Sequence, residues 1–289
     1  MSYSHLHRFA ARLLLLLLIL SSSSGVASDD IVIVHQLSGK PVLDGAGDDW
    51  NNVKPTRINM RQNLSGTSTK ERTILIKGGV YADSVYFYLE WPDESADTTH
   101  KPWLWNKEKS KYIQGAQREG RLAMQFAING NYTTDWLSGN NFVADMWHWK
   151  ASRSNPVGLM HDKQTIISSQ KLLRSYQITS KTGKKIYILR PSDEGSKLYT
   201  TKRYRKYQGD IVPKYIINHE AAGSVADIKA KGVWADGKWV LEISRKLNTG
   251  NNDDIAFEAN KSVSGGIALF DHSENSDHLI SNTLTFRFK

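Results

Sequence analysis

The segment KGVWADGKWVLEISRKL, residues 231–247, constrains the fold strongly because it has the pattern of a β-hairpin. Asp236 and Gly237 form a dipeptide that favours the tight turn between two antiparallel strands. Trp234 and Trp239 flank this turn, one on each side. We therefore predict that this part of the chain folds as two paired strands.

Short alternating segments with Gly, Asp or Asn turns recur along the chain. In residues 85–91 the period of two places Val85, Phe87 and Leu89 on one face and Tyr86, Tyr88 and Glu90 on the other. Further strands are predicted at residues 121–128, 144–152, 185–189, 254–258 and 266–270, and amphipathic helices are scarce. The pattern predicts an all-β fold, an immunoglobulin-like antiparallel β-sandwich, with long polar insertions at residues 100–120 and 160–230.

The N-terminal residues 1–28 have the order of a secretory signal peptide: basic, then eight apolar residues from 13 to 20, then small residues. We expect an exported, periplasmic product with one domain over residues 29–289 and no membrane span. The chain has no cysteine, which excludes disulfides and covalent c-type haem attachment. Without residues 1–28 there are 36 basic and 29 acidic residues, a net charge of +7 spread along the chain, and we expect no nucleic-acid partner.

Motifs of the common enzyme classes are absent from the sequence, including phosphate-binding loops, nucleophile elbows and zinc-binding helices. The pair Asp253 and Asp254 is interpreted as solvated or turn-capping. Asp44, Asp48 and Asp49 could offer oxygen ligands to calcium, but their spacing favours an ordinary turn. We therefore expect no independent catalytic activity.

The stretch ADMWHWK, residues 144–150, carries the strongest candidates for a site. On a strand, Trp147 and Trp149 share one face and Met146, His148 and Lys150 share the other. The two indoles could pack between sheets or form a binding platform. A thioether and an imidazole are both ligand types for haem iron, and Lys150 could meet a propionate, although a single histidine is more often structural.

The D-x-W-x-W-K pattern at residues 145–150, continuing into ASRSNPVG, resembles the signature of the ethylbenzene dehydrogenase-related haem-binding domain family. That family includes the haem-b gamma subunits of ethylbenzene and dimethylsulfide dehydrogenases. Other segments resemble it in the same order, including GRLAMQFAI, the hairpin leading to SRKL, and GGIALFDHSENSDHLIS. The resemblance implies a β-sandwich that holds one non-covalent haem b between its sheets and transfers electrons in the periplasm. The implied partner is a redox protein, such as a molybdenum-enzyme complex or a c-type cytochrome.

The resemblance also implies two axial ligands, a methionine in the loop before the signature and a lysine near the C-terminus. At those places this chain has Ser138 and His278. We expect His278 to bind iron, with Met146 or His148 as the second ligand; Met160 is a further possibility, and Met124 is assigned to the core. The expected cofactor-binding set is Met146, Trp147, His148, Trp149, Lys150 and His278, with Arg153 as a candidate for propionate or partner contacts.

A different class, carbohydrate binding, also fits part of the sequence. The opening KPVLDGAGDDW resembles family-nine carbohydrate-binding modules, which share the sandwich architecture. Tryptophans suited to stacking on sugar rings are Trp103, Trp105, Trp136, Trp147 and Trp149. A third hypothesis is a cofactor-free adaptor of an envelope respiratory complex.

Overall fold

A computed structural model describes residues 30–63, 71–272 and 278–289, so the signal peptide predicted for residues 1–28 lies outside the described residues. The described residues form nineteen strands and four single-turn 3-10 helices. The strands are β1 Ile31–Gln36, β2 Thr56–Gln62, β3 Arg72–Tyr81, β4 Ser84–Pro92, β5 Trp103–Asn106, β6 Lys111–Gln114, β7 Arg121–Gly130, β8 Phe142–Lys150, β9 His161–Ser168, β10 Tyr176–Thr179, β11 Lys185–Leu189, β12 Tyr199–Thr201, β13 Ile211–Val212, β14 Tyr215–Ile217, β15 Lys229–Ala235, β16 Lys238–Lys246, β17 Ser262–Phe270, β18 Leu279–Ile280 and β19 Leu284–Phe288. The 3-10 helices are Asp48–Trp50, Trp136–Ser138, Asn155–Val157 and Ser224–Ala226.

Fourteen of the strands form two packed layers, and the other five form two small sheets, β12-β14 and β13-β5-β6. One layer has the order β10-β11-β9-β8-β7-β17, and the other has the order β2-β3-β4-β16-β15, with β18 joining β17 to β2. Neighbouring strands in these layers are antiparallel, whereas β1 runs parallel to both β19 and β3. The prediction of an all-β antiparallel sandwich is confirmed.

The core between the layers contains the inward faces that the alternation predicts. Phe87 of β4 is fully buried and packs against Phe126 of β7 and Trp147 of β8, with ring centroids 5.9 and 6.0 Å apart. Trp149 of β8 packs against Trp239 of β16, with the ring centroids 4.9 Å apart. These contacts join the two layers, and each buried large apolar side chain of this kind stabilises the fold by about 1.5–3 kcal/mol.

The predicted hairpin is formed by β15 and β16. Trp234 lies opposite Trp239 in the register, and the turn residues Asp236 and Gly237 have φ of 51° and 76°. Positive φ at both central residues matches the right-handed twist of the strands, which explains the Asp-Gly pair. On β15, Gly232 leaves room for the Trp149 ring, because a Cβ there would lie 2.4 Å from Trp149 Cζ2.

Two predictions about strands are wrong. Residues 254–258 are not a strand, because their backbone bonds elsewhere: Ile255 N–H donates to Asp145, the Ile255 carbonyl accepts from Arg245, and Phe257 N–H donates to the Leu247 carbonyl. The regions 100–120 and 160–230 are not simply irregular. Besides β11, which was predicted at residues 185–189, they contain β5, β6, β9, β10 and β12–β14, and β9–β11 extend the layer of β8.

Candidate functional site

The surroundings of β8 decide whether Trp147 and Trp149 pack in the core or form a binding platform. Trp147 and Trp149 are both completely buried in the core between the layers. Trp149 Nε1 donates to Asn155 Oδ1 at 3.1 Å, which fixes the indole against the hairpin strand. Met146 and His148 point from the opposite face of β8, away from that core. The side chains of Trp147 and Trp149 thus build the fold and do not line the cavity described next.

A cavity of about 540 Å³ lies on this outer face of β8. The register places His148, Ala123, Ala268 and Ile280 in one row across β8, β7, β17 and β18, so the small alanines leave space above the sheet. The cover comes from the loop after β7 and from the β10–β11 hairpin. The residues that line the cavity include Gln125, Tyr132, Trp136, Met146, His148, Tyr176, Arg190, Phe270 and His278.

The position of this cavity differs from the one implied by the resemblance. A cofactor between the sheets would occupy the space that Trp147, Phe87 and Phe126 fill. The cavity instead lies outside the main core, between the β8 layer and its cover. Packed aromatic rings leave no room for a second occupant, whereas the small residues on the outer face do.

His148 is the residue in the cavity best prepared to bind a metal. Its side chain is partly buried, and its Nε2 is inaccessible to solvent and has no hydrogen-bond partner among the described residues. Burial, and then the positive charges of Lys150 and Arg121, hold the pKa of His148 well below its usual range. The imidazole is therefore neutral near neutral pH, which is the form that coordinates iron.

His278 lies in the same cavity and shares a neighbour with His148. The ring of Phe270 is 4.5 Å from the His278 ring and 5.9 Å from the His148 ring, both nearly parallel. Asn63 Nδ2 lies 2.7 Å from His278 Nδ1, which orients the imidazole. The two histidines are 130 positions apart in the sequence, and the pairing of β7, β17 and β18 brings them together.

Met146 is held by a chain of hydrogen bonds inside the cavity wall. The Thr165 hydroxyl donates to Met146 Sδ at 3.5 Å and accepts from Gln125 Nε2 at 2.8 Å. The Tyr132 hydroxyl donates to Gln125 Oε1 at 3.2 Å, and burial raises the pKa of Tyr132, which keeps the phenol protonated. The thioether therefore has a fixed position on the same wall as His148.

Lys150 shares the face of Met146 and His148 but lies beyond the cavity lining. Its Nζ is 2.9 Å from His161 Nδ1 and 5.5 Å from the centre of the Tyr199 ring. Burial, followed by the charge of Arg153, holds the pKa of Lys150 well below its usual range. Arg153 itself is paired with Glu119. Both side chains therefore have protein partners, whatever further contacts they make.

The remaining ligand candidates are distributed between the cavity and the core. Met124 is fully buried in the core between the layers, as predicted. Met160, which was considered as an iron ligand, is fully buried in the same core. Ser138 is exposed, although its neighbours Trp136 and Leu137 line the cavity. The loop where the family methionine was expected therefore does cover the cavity.

Sequence reasoning missed Arg190, which lines the cavity just after β11. Its guanidinium lies 5.9 Å from the Trp136 ring and 5.7 Å from the Tyr176 ring. Only residues 185–189 were predicted as a strand, and a strand alone does not show that its C-terminal end will fold over β8. Arg190 supplies a cation at an otherwise largely apolar cavity.

The aspartates considered in the sequence analysis fall into two groups, those in turns and those buried beside an arginine. Asp49 accepts from Val42 N–H at 2.7 Å and Asp44 from Ala46 N–H at 2.8 Å, as the turn interpretation predicts. The solvated interpretation is wrong for Asp254, whose side chain is 1% exposed and lies 3.5 Å from Arg245. Arg245 also donates to Asp145 at 2.6 Å, so the SRKL segment and the tryptophan signature meet through a buried ion pair.

The fold and the cavity define an all-β sandwich with one methionine and two histidines in a pocket outside the main core. The sequence profile described as "Ethylbenzene dehydrogenase" matches residues 47–278, and the chain belongs to the ethylbenzene dehydrogenase family. This membership fits a subunit related to respiratory oxidoreductases and is compatible with a non-catalytic role. No curated protein sequence matches the chain.

Solved structures similar to this chain include two of carbohydrate-binding proteins. A family-nine carbohydrate-binding module from Caldicellulosiruptor kristjanssonii in complex with glucose is 9% identical, with 89% of this chain and 95% of that chain covered and a TM-score of 0.40. A putative carbohydrate-binding protein from Bacteroides uniformis is 6% identical, with 90% and 99% covered and a TM-score of 0.44. Among the described residues, no helix has the length and apolar character needed to cross a membrane.

Proposed function

We propose that this chain is a periplasmic protein that binds one haem b non-covalently in the outer cavity and transfers single electrons within a respiratory oxidoreductase complex. The observation that carries the proposal is His148, a neutral, partly buried imidazole whose solvent-inaccessible Nε2 has no partner among the described residues. The cavity volume, about 540 Å³, lies within the usual range for cofactor sites. Its apolar lining also suits a flat, largely apolar ring.

The residues of the cavity divide the work of holding such a group. His148 would supply one ligand to iron, and His278 or Met146 would supply the other. Thr165 and Asn63 hold Met146 and His278 in position. Arg190 would neutralise a propionate at the cavity edge, because a guanidinium pairs well with a carboxylate. A bound haem b would supply one-electron redox chemistry, and the apolar cover would limit the access of water.

The electron donor and acceptor would be proteins. The family membership supports a partner within an oxidoreductase complex, and we propose a molybdenum-enzyme subunit or a c-type cytochrome. The net charge of +7 predicted for the exported chain favours a partner with an acidic surface.

The carbohydrate-binding alternative is weakened at two positions. Trp147 and Trp149 are completely buried, so neither can stack on a sugar ring without opening the core. Trp136 lines the cavity, and Trp103 and Trp105 lie in the small β5–β6–β13 sheet. Of the five tryptophans predicted to suit a platform, these three are therefore the ones that remain available.

Absorption spectroscopy tests the proposal directly. The protein is purified after expression with ample haem, and spectra are taken before and after reduction with dithionite. We expect a Soret band that shifts on reduction, its loss or strong weakening in His148→Ala, and no change in the control His219→Ala, which alters an exposed histidine. Wild-type protein that stays colourless, even when titrated with haemin, would overturn the proposal.

Two further variants identify the second ligand. Met146→Leu preserves side-chain volume and removes the sulfur, and His278→Ala removes the imidazole. A changed spectrum in one variant alone assigns that residue to the iron. An unchanged spectrum in both leaves His148 as the only ligand from this set.

A further inference from the structure

A second group of polar side chains lies on the inner face of β8, the face opposite to the cavity. Asp145 of β8, Asp162 of β9 and Asp254 of the loop after β16 each place one carboxylate oxygen within 4.8 Å of the other two. The side chains of Asp145 and Asp162 are completely buried. Asp193 and Asp227 join them, because Asp162 lies within hydrogen-bonding range of the carboxyls of Asp145, Asp193 and Asp227.

The charges in this carboxylate cluster do not balance. The Arg245 guanidinium lies 2.6 Å from Asp145 and 3.5 Å from Asp254. The positive charge of Lys163 interacts with Asp193, while its Nζ donates to the Arg190 carbonyl. The five carboxyl groups thus have one buried guanidinium, paired with Asp145 and Asp254, and one lysine, near Asp193, to balance their charge. Like charges this close, away from water, repel one another strongly.

The oxygens of the cluster are also unsatisfied. Among the described residues, no N–H or hydroxyl group donates a hydrogen bond to Asp145 Oδ1, Asp162 Oδ2, Asp227 Oδ1, Asp254 Oδ1 or either carboxylate oxygen of Asp193. The other oxygens are used: Asp145 Oδ2 accepts from Arg245 and Ile255 N–H, and Asp162 Oδ1 accepts from Lys163 N–H. Buried polar atoms in native proteins almost always have a partner, so a group of orphaned acceptors at one place indicates a missing occupant.

The pKa values agree with this picture. Burial, and then repulsion from neighbouring aspartates, raises the pKa of Asp162 well above its usual range. Burial raises the pKa of Asp193 and of Asp227 to about 7. Either shared protons or a bound cation can relieve this repulsion. Shared protons and a bound cation predict different effects of replacing Asp162 by asparagine.

We propose that Asp145, Asp162, Asp193, Asp227 and Asp254 bind one divalent cation, with Ca²⁺ as the best fit. All the donors are carboxylate oxygens, which are hard ligands, and no imidazole belongs to the cluster. Ca²⁺ takes six to eight oxygens in flexible geometry, whereas Mg²⁺ requires a near-ideal octahedron and Zn²⁺ favours nitrogen and sulfur. The site is structural, because it ties β8, β9 and three loops together.

An ion could reach this site from solvent. A second cavity, of about 680 Å³, opens beside the cluster and is lined by Asp227, Arg245, Thr249 and Asn251 together with side chains of β4 and of the loop after β1. Asn251 Nδ2 lies 3.2 Å from oxygens of both Asp227 and Asp254. The loop after β16 therefore closes the cluster on the side of this second cavity.

Thermal unfolding of the full chain tests the site independently of haem. Wild-type protein is treated with EDTA, and its Tm is measured during titration with CaCl₂ and, separately, MgCl₂. We expect Ca²⁺ to raise Tm by about 5–10 °C at a free concentration about 100 times its Kd. Asp162→Asn should lose this response, and the matched control Asp236→Asn, which changes an exposed turn carboxylate, should keep it.

A second readout does not depend on stability. Tb³⁺ replaces Ca²⁺ in oxygen sites, and excitation of Trp147 should sensitise it, because Arg245 contacts both this indole and the cluster. We expect Tb³⁺ luminescence that Ca²⁺ displaces in wild type, and a strong loss in Asp162→Asn. Asp227→Asn, at a less buried position, provides the same test if Asp162→Asn does not fold.

A lack of response to Ca²⁺ would contradict the proposed cation site. If Ca²⁺ changes neither Tm nor Tb³⁺ luminescence at millimolar concentration, and Asp162→Asn raises Tm, the carboxyls share protons and the proposal is overturned. A colourless protein that still responds to Ca²⁺ would refute the haem proposal alone.

Discussion

Replacing Arg245 by methionine should destabilise the protein strongly. The Arg245 side chain is completely buried, donates to Asp145 at 2.6 Å and to the Ile255 carbonyl, and lies 4.8 Å from the Trp147 ring. Methionine keeps most of the apolar length of the side chain and removes the charge. The variant therefore leaves Asp145 and Asp254 buried without their guanidinium.

The expected loss follows from the geometry of the pair. Removing one partner of a buried ion pair costs about 3–5 kcal/mol, because the other charge remains out of water. The Ile255 carbonyl also loses its donor, which places the estimate toward the upper end of this range. If the carboxylate cluster binds Ca²⁺, the cation compensates part of the charge, so the loss should be larger in EDTA than in Ca²⁺.

Urea unfolding followed by tryptophan fluorescence measures this effect, since nine tryptophans report on the fold. Lys246→Met makes a comparable change at the adjacent position, which is exposed, and should cost little. Arg245→Lys retains a charge but not the planar fork, so its loss should lie between the two. A difference below about 1 kcal/mol between Arg245→Met and wild type in both buffers would refute the reasoning.

Two further predictions concern other parts of the sandwich. Gly232→Ala should cost about 1–3 kcal/mol in urea unfolding because its Cβ would lie 2.4 Å from Trp149 Cζ2, whereas Gly39→Ala, with no atom within 4 Å of its Cβ, should be nearly neutral. Burial, and then repulsion from Asp271, raises the pKa of Asp93 to about 6, so the folded state holds this proton more tightly than the unfolded state. The resulting stability is present below about pH 4 and is lost as pH rises through about 6. Asp93→Asn should therefore raise Tm relative to wild type at pH 7 but not at pH 4, and equal differences at both pH values would contradict this assignment.

The alternating pattern was sufficient to predict which side chains share one face of a strand. Val85, Phe87 and Leu89 face the core, and Trp147 lies on the face of β8 that period two assigns to it. The Asp-Gly turn predicted its hairpin because the dipeptide suits the local backbone conformation. These features depend on near neighbours in the chain, so they can be recognised without the fold.

Contacts over long sequence distances could not be predicted in this way. Residues 254–258 have the composition of a strand, but Arg245 and Asp145 bind the backbone of Ile255 and hold the segment away from the sheets. For the same reason Asp254 is not solvated, because the fold places its carboxylate beside a guanidinium. The hydrogen-bond partners in both cases lie in other segments of the chain.

The sequence by itself determined the fold class, the family and the two faces of β8, since these follow from local periodicity and from motifs. Only the tertiary structure decided which face carries a cavity. Small residues on β7 and β17, distant in sequence from His148, leave space on the outer face, while the inner face is filled by aromatic rings of the opposite layer. The tertiary structure also brings Asp145 of β8 and Asp162 of β9 together with Asp254 of the loop after β16. The cavity and the carboxylate cluster depend on side chains from segments that are distant in the sequence. Only the tertiary structure decides which of these segments become neighbours.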